Sequence, residues 1–235
     1  MEPTVTITWT NPTGFPLPPQ SGEIHLWLIS LDQAASIREA TALLSDDERE
    51  RSQRMRMAVE RHRFILARAA LRIILSAYLD TPAGEIDFLY GEKGKPVIAK
   101  PKHPVEFNLS HSGDLALLAI STERPVGIDL EPLSQRRALR PVALRVFPKE
   151  INDRLQPLEG DQYMHAFFHC WTELEARVKA LGEGVFSTSD QLASIRHINF
   201  QPAEGWVAAV AMEGGPPPVE QWSTFRFSFD LMTQN

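Results

Sequence analysis

Cysteine is nearly absent. Cys170 stands alone, so no internal disulfide can form, and the composition fits a reducing compartment. Long apolar runs are missing too. No stretch reaches the roughly 18 consecutive apolar residues of a membrane helix. The opening MEPTVTITWTNP lacks the basic-then-apolar order of a secretory signal, which points to a cytoplasmic protein without membrane attachment. Positive charge is in deficit: 24 Lys and Arg against 30 Asp and Glu give a net charge of −6, which argues against a general nucleic-acid binder. No G-x-S-x-G elbow is present, so the Ser-His pair at 110–111 lacks the setting of a serine hydrolase. Cys170, between His169 and Trp171 in an apolar helical pattern, reads as packing rather than as a nucleophile.

What is present suffices for a packed core: 43% hydrophobic residues with 23% charged, over a length that fits one large domain or two smaller ones. The first 22 residues hold five prolines and read as extended. EIHLWLISL predicts a strand. Ser45 with Glu48 three residues on predicts a capping box. Phe64, Ala67, Leu71, Ile74, Leu75 and Tyr78 form one stripe of a helix over Glu60–Leu79, with Arg61, Arg68 and Arg72 along its margin. Strand patterns follow at IDFLYG, VIA, VEFNLS, LALLAIS and VGIDLE, with a hairpin turn at Glu92–Pro96. Short helices then lead to a long one over Tyr163–Leu181, broken at Gly182 and Gly184. RHINFQP, GWVAAVAM and STFRFSFDLM close the chain as strands. ILARAALRIIL and LEARVKALGEG are faintly alike. Both halves run helix, glycine turn, antiparallel strands, which predicts an α+β protein of two similar lobes meeting near Glu131.

Four stretches could carry chemistry. Asp129 and Glu131 sit two apart on a strand and so share a face, where they repel unless a cation sits between them or one is protonated; hard carboxylate oxygens suit Mg2+. Trp171, Glu175 and Lys179 share one face of a helix. Asn108, Ser110, His111 and Gly113 at a strand end could bind phosphate oxygens. Lys93 and Lys95 bracket Gly94 in a turn. Eight arginines between Arg49 and Arg72 add a basic patch that suits a localised anionic ligand, although i,i+4 pairing with glutamates is an equal alternative. Taken singly, each stretch has a bland structural reading.

Their order together, GKP, FNLSHSG, VGIDLE and WTELEARVKALGEG, resembles the 4'-phosphopantetheinyl transferases, specifically the monomeric two-lobed type that activates surfactin-like synthetases. The resemblance spans about Leu44 to Gly184. It implies a pseudo-dimer, each lobe an antiparallel sheet packed with a long helix. We place residues 1–128 in an N-terminal lobe that binds the coenzyme phosphates and 129–235 in a C-terminal lobe with the metal and catalytic helix, the active site lying between. The implied reaction moves the phosphopantetheine arm of coenzyme A to a serine of an acyl- or peptidyl-carrier protein and releases 3',5'-ADP, as in holo-acyl-carrier-protein synthases. By the same resemblance, Asp129, Glu131 and Glu175 hold Mg2+, or Mn2+ in its place. His111 and Lys95 hold coenzyme phosphates, with Lys93, Gly94, Asn108 and Ser110 lining that site. Lys179 contacts the diphosphate, and Glu175, or a water on the metal, takes the serine proton. Arg51 reaches the 3'-phosphate, with Arg61 and Arg68 as helpers.

One position departs from the pattern. Leu174 stands where the family has a lysine before the helix glutamate, which implies weaker diphosphate binding or an altered carrier contact. Because Glu175 and Lys179 are present, activity is still expected. Two other functions compete: a Mg2+-dependent phosphohydrolase acting on coenzyme A or nucleotides without a protein acceptor, and a catalytically weak module that binds coenzyme A or a carrier. Two lobes in one chain imply a monomer.

Overall fold

The computed structural model describes residues 5–32, 37–99, 105–122, 124–134, 139–185 and 190–229. In chain order the elements are β1 (Val5–Thr6), β2 (Ile24–Ser30), α1 (Ile37–Ala42), α2 (Asp46–Gln53), α3 (Ala58–Leu79), β3 (Phe88–Tyr90), β4 (Pro96–Ile98), β5 (Glu106–Ser112), β6 (Leu115–Ser121), β7 (Val126–Pro132), α4 (Leu139–Val146), α5 (Lys149–Leu155), α6 (Gly160–Leu181), β8 (Ile195–Gln201), β9 (Trp206–Glu213) and β10 (Trp222–Phe227). Two four-stranded sheets, ordered β10-β2-β6-β5 and β1-β8-β9-β7, and a β3-β4 hairpin complete the topology.

The layers follow from how side chains alternate along each strand. Ile24, Leu26 and Leu28 of β2 meet Val126, Ile128 and Leu130 of β7 and Ala208, Val210 and Met212 of β9 in a core between the sheets. The opposite faces of β2 and β6, with Trp27, Ile29, Leu118 and Ile120, pack on the apolar stripe of α3. Ala209 and Ala211 of β9 pack on Ala176 and Ala180 of α6. The order is therefore helix, sheet, sheet, helix. The α3 and α6 fragments that looked alike in sequence hold equivalent outer positions.

The division at 128/129 falls inside β7, and the terminal strands are exchanged: β1 joins the sheet of the C-terminal half by pairing with β8, while β10 joins that of the N-terminal half by pairing with β2. Both exchanged pairings are parallel, so each sheet is antiparallel over three strands and mixed at one edge. The last predicted strand ends at Phe227, and Asp230–Met232 of that stretch lie outside the described residues, as do Ala138 and Phe186 of two other predicted segments.

Strand β2 does not alternate. Ile24 to Ile29 are all buried because both faces of the sheet are covered. His25 is thereby trapped beside α3, 4% exposed, and needs a partner. Tyr78 Oη lies 2.7 Å from His25 Nδ1 and accepts the Trp27 indole N–H at 3.1 Å. Indole can only donate, which leaves the tyrosine hydrogen free for Nδ1, an acceptor only in a neutral imidazole. Burial pulls the His25 pKa from 6.5 down to about 4, with Glu23 opposing. Between those values the unfolded chain binds a proton that the native state refuses, so stability is lost as pH falls through this window. We expect the loss in urea-unfolding free energy between neutral pH and pH ~4 to be smaller in His25→Gln than in wild type by about 3 kcal/mol. Equal losses in the two proteins would contradict the assignment.

Candidate active site

The site is assembled where the edge strands β5 and β7 run side by side under α6. Along β7, Val126, Ile128 and Leu130 enter the inter-sheet core, which turns Gly127, Asp129 and Glu131 to the other face. Helix α6 lies so close there that a Cβ on Gly127 would stand 2.0 Å from the Ala176 carbonyl oxygen and 2.4 Å from the Ala180 nitrogen. No side chain fits. The glycine before the two acids is what lets α6 bring Glu175 and Lys179 down to them.

Lys179 is the centre of the cluster. Its Nζ donates to Asp129 Oδ1 at 2.6 Å and to Ser110 Oγ at 3.1 Å, and lies 3.9 Å from Glu175 Oε2. The i,i+4 pairing of Glu175 with Lys179 is thus the weaker contact, and the tertiary partner Asp129 wins. Burial opposes the Lys179 charge, but Asp129 and then Glu175 outweigh it and raise its pKa. Glu175 is also raised, first by burial, then by the charges of Asp129 and Glu131 against the pull of Lys179.

Strand β5 holds the acids in place. Ser110 Oγ donates to Asp129 Oδ1 at 2.8 Å, and Ser112 Oγ donates to Glu131 Oε2 at 2.9 Å. Asn108 Oδ1 accepts the Ile128 N–H at 2.8 Å. Asn108 and Ser110, expected beside the coenzyme, are thus engaged as struts between the two sheets, and the orienting role of Ser112 was missed. The i, i+2, i+4 spacing of these three polar residues on one strand was the available signal.

The remaining expected residues have other neighbours. His111 reaches solvent, yet partial burial lowers its pKa, and Lys179, then Arg51 and Arg68, push the same way while Glu60 opposes. Arg51 is exposed, with its guanidinium 5.4 Å from the Phe64 ring centre. Lys93 is exposed and its side chain runs beside Gly184, just past the end of α6. Gly94 has φ +80°, the left-handed conformation its turn requires. Lys95 behaves differently. Its Nζ donates to the carbonyl oxygens of Lys179 at 2.7 Å and Val126 at 3.2 Å, and burial pulls its pKa to about 8, against Glu106.

The basic patch is mostly spent internally. Arg49, Arg54 and Arg63 pair with Asp46, Glu50 and Glu60, while Arg68 and Arg72 are buried against Glu48. Arg61 donates to the Met55 carbonyl. Arg68, expected as a helper at the 3'-phosphate, has its guanidinium on Glu48 and on the Tyr90 hydroxyl. Cys170 is half-buried, and burial, then Glu173, raise its thiol pKa, in keeping with a packing role. It borders a cavity of about 840 Å³ between α5, α6 and β8, whose lining includes none of the clustered acids.

Among the described residues, no three His, Cys, Asp or Glu side chains stand close enough to hold a metal ion as they are placed, and the Lys179 ammonium is the cation nearest the acids. The donor set nevertheless fits a hard divalent ion. Asp129 is 4% exposed and its Oδ2 is buried with no hydrogen-bond partner. A carboxylate oxygen stripped of water in this way is costly unless a cation or donor can reach it. Among the described residues, no helix is long and apolar enough to cross a membrane.

Comparison with known proteins identifies the family. Residues 32–123 match the family model described as 4'-phosphopantetheinyl transferase, N-terminal, and residues 125–225 match that of the 4'-phosphopantetheinyl transferase superfamily. The chain is 36% identical over 223 residues to the 4'-phosphopantetheinyl transferase HetI of Nostoc sp., covering 86% of this chain and 94% of that protein. It is 40% identical over 147 residues to AcpT of Escherichia coli K12, covering 60% and 71%, and 33% identical over 171 residues to a Bacillus subtilis 4'-phosphopantetheinyl transferase, covering 70% and 73%. With matched segments that together run from residue 32 to residue 225 and a relative aligned over nearly its whole length, the chain belongs to the 4'-phosphopantetheinyl transferase superfamily.

Proposed function

We propose that this protein transfers the 4'-phosphopantetheine group of coenzyme A to a serine hydroxyl of a carrier protein, in a Mg2+-dependent reaction that releases 3',5'-ADP. The observation that carries the reading is the Lys179 ammonium bridging Asp129 and Ser110 beside Glu175, at the junction of two sheets. Phosphoryl transfer asks a protein mainly for positioning and charge compensation. The serine oxygen forms a bond to the phosphorus that carries the pantetheine arm, and the bond from that phosphorus to the oxygen of the ADP phosphate breaks. Glu175, whose raised pKa brings it toward neutrality, accepts the serine proton. Lys179 compensates the charge that builds on the departing phosphate. His111, Lys93 and Arg51 are the cations available to coenzyme phosphates. Asp129, Glu131 and Glu175 would hold the Mg2+, whose contribution is to neutralise the diphosphate. We take the single chain, with both lobes, as the functional unit.

The test is a mass measurement. Purified protein with coenzyme A, Mg2+ and a panel of acyl- and peptidyl-carrier proteins should add ~340 Da, the size of the transferred arm, to at least one carrier, and a chelator should abolish the gain. Hydrolysis of coenzyme A without a carrier, or no gain on any carrier, would reject the proposal.

A further inference from the structure

Lys95 was expected at the coenzyme phosphates, yet its ammonium points elsewhere. It donates to the Lys179 carbonyl at 2.7 Å, the Val126 carbonyl at 3.2 Å and, at the limit of reach, the Ala180 carbonyl at 3.5 Å. An ammonium has three hydrogens to give, and each has a main-chain oxygen here. Two of those oxygens belong to the last turn of α6, which ends at Leu181 with Gly182 as its left-handed cap. That end of a helix carries surplus carbonyls and the negative pole of its dipole, a natural seat for a cation. The third oxygen opens β7, next to Gly127, where helix and strand touch. The β3-β4 hairpin thus pins α6 to β7 through one side chain.

We propose that Lys95 is a positioning residue for the last turn of α6, and through it for Lys179, rather than a ligand of the coenzyme phosphates. Lys179 is the residue whose own carbonyl Lys95 grips, and its Nζ must arrive at Asp129 Oδ1 within hydrogen-bond range. A displacement of about 1 Å at a reacting centre can cost on the order of a hundredfold in rate, so a clamp on this backbone is felt in catalysis. The inference rests on the transfer reading above.

The test compares wild type, Lys95→Met and Lys95→Arg in the full chain, with coenzyme A and with dephospho-coenzyme A, which lacks the 3'-phosphate. For Lys95→Met we expect kcat to fall about tenfold or more while KM for coenzyme A changes less than about threefold. The factor should persist with dephospho-coenzyme A. Amide hydrogen exchange over residues 178–183 should speed up, and Lys95→Arg, which keeps a cation for the carbonyls, should recover part of both kcat and protection. A rise in KM with kcat preserved, or a factor that vanishes with dephospho-coenzyme A, would make Lys95 a phosphate ligand and overturn the proposal. Unchanged exchange at 178–183 would overturn it as well. If wild type performs no transfer, the functional reading fails, and hydrogen exchange alone still decides the role of Lys95. Should Lys95→Met not fold, Lys95→Gln is read against the same outcomes.

Discussion

Glu175→Gln is expected to slow carrier modification by about 10²–10⁴-fold, the usual worth of a positioned general base. The substitution keeps the shape of the side chain and removes its charge and its ability to take up a proton. Glu175 lies half-buried on α6, close to the Lys179 ammonium and within the field of Asp129 and Glu131, all of which depends on its being a carboxylate. Its elevated pKa places proton uptake nearer neutrality than for a solvated glutamate, which is where a base works best. The fold has less at stake. Losing one negative charge relieves repulsion from Asp129 and Glu131 while giving up only a 3.9 Å contact to Lys179, so thermal melting should shift by no more than a few degrees. Rates from carrier mass spectrometry, with melts as the control, check both halves. A wild-type rate in Glu175→Gln would remove this residue from catalysis and from the metal site together.

The largest loss of stability should come from a glutamate outside the active site. Glu48→Ala is expected to cost about 3–5 kcal/mol, because it strands two buried guanidinium groups. For a chain of this size that corresponds to a fall in Tm of roughly 10 °C. Glu48 is 1% exposed and accepts from the Ser45 N–H at 3.0 Å, Arg68 Nε at 2.7 Å and Arg72 Nε at 2.7 Å. The arginines have further partners: Arg72 donates to the carbonyls of Ala83 and Ile86, Arg68 to the Tyr90 hydroxyl, and both lie 5.0 Å from the Phe88 ring centre. One carboxylate thus ties α2, α3 and the approach to the β3-β4 hairpin together. Burial alone would raise the Glu48 pKa, but Arg68 and then Arg72 overcome it and hold it below its ordinary value of 4.5. Its contribution is therefore complete above that value and lost as pH falls through the lowered one. Replacing both arginines by methionine in the Glu48→Ala background should restore part of the loss, since an apolar set needs no counter-charge. A cost below ~1 kcal/mol for Glu48→Ala in urea unfolding would show that the buried arginines find other compensation.

Several features were legible in one dimension because they depend on neighbours in sequence. Periodicity marked α3 and α6, the Ser45–Glu48 spacing marked the start of α2, and the turn glycine marked the β3-β4 hairpin. The one-residue gap between Asp129 and Glu131 put both acids on one face of β7, and the four-residue spacing put Glu175 and Lys179 on one face of α6. The roles of polar residues were much harder to read. Ser110, Ser112, Asn108 and Lys95 looked like ligands because each has donors or acceptors to offer. Whether those groups face a ligand or another strand depends on the register of β5 against β7 and on where α6 ends.

The sequence alone therefore determined the identity and local face of each chemical group, through the periods of helix and strand. The tertiary structure decided which of them meet. It set Lys179 on Asp129 rather than Glu175, committed Arg68 and Arg72 to Glu48, and sent β1 and β10 to each other's half. The reason is physical. A buried charge or an unpaired strand edge is stabilised by whatever partner packing brings near, however far away in the chain, and no local spacing records that choice.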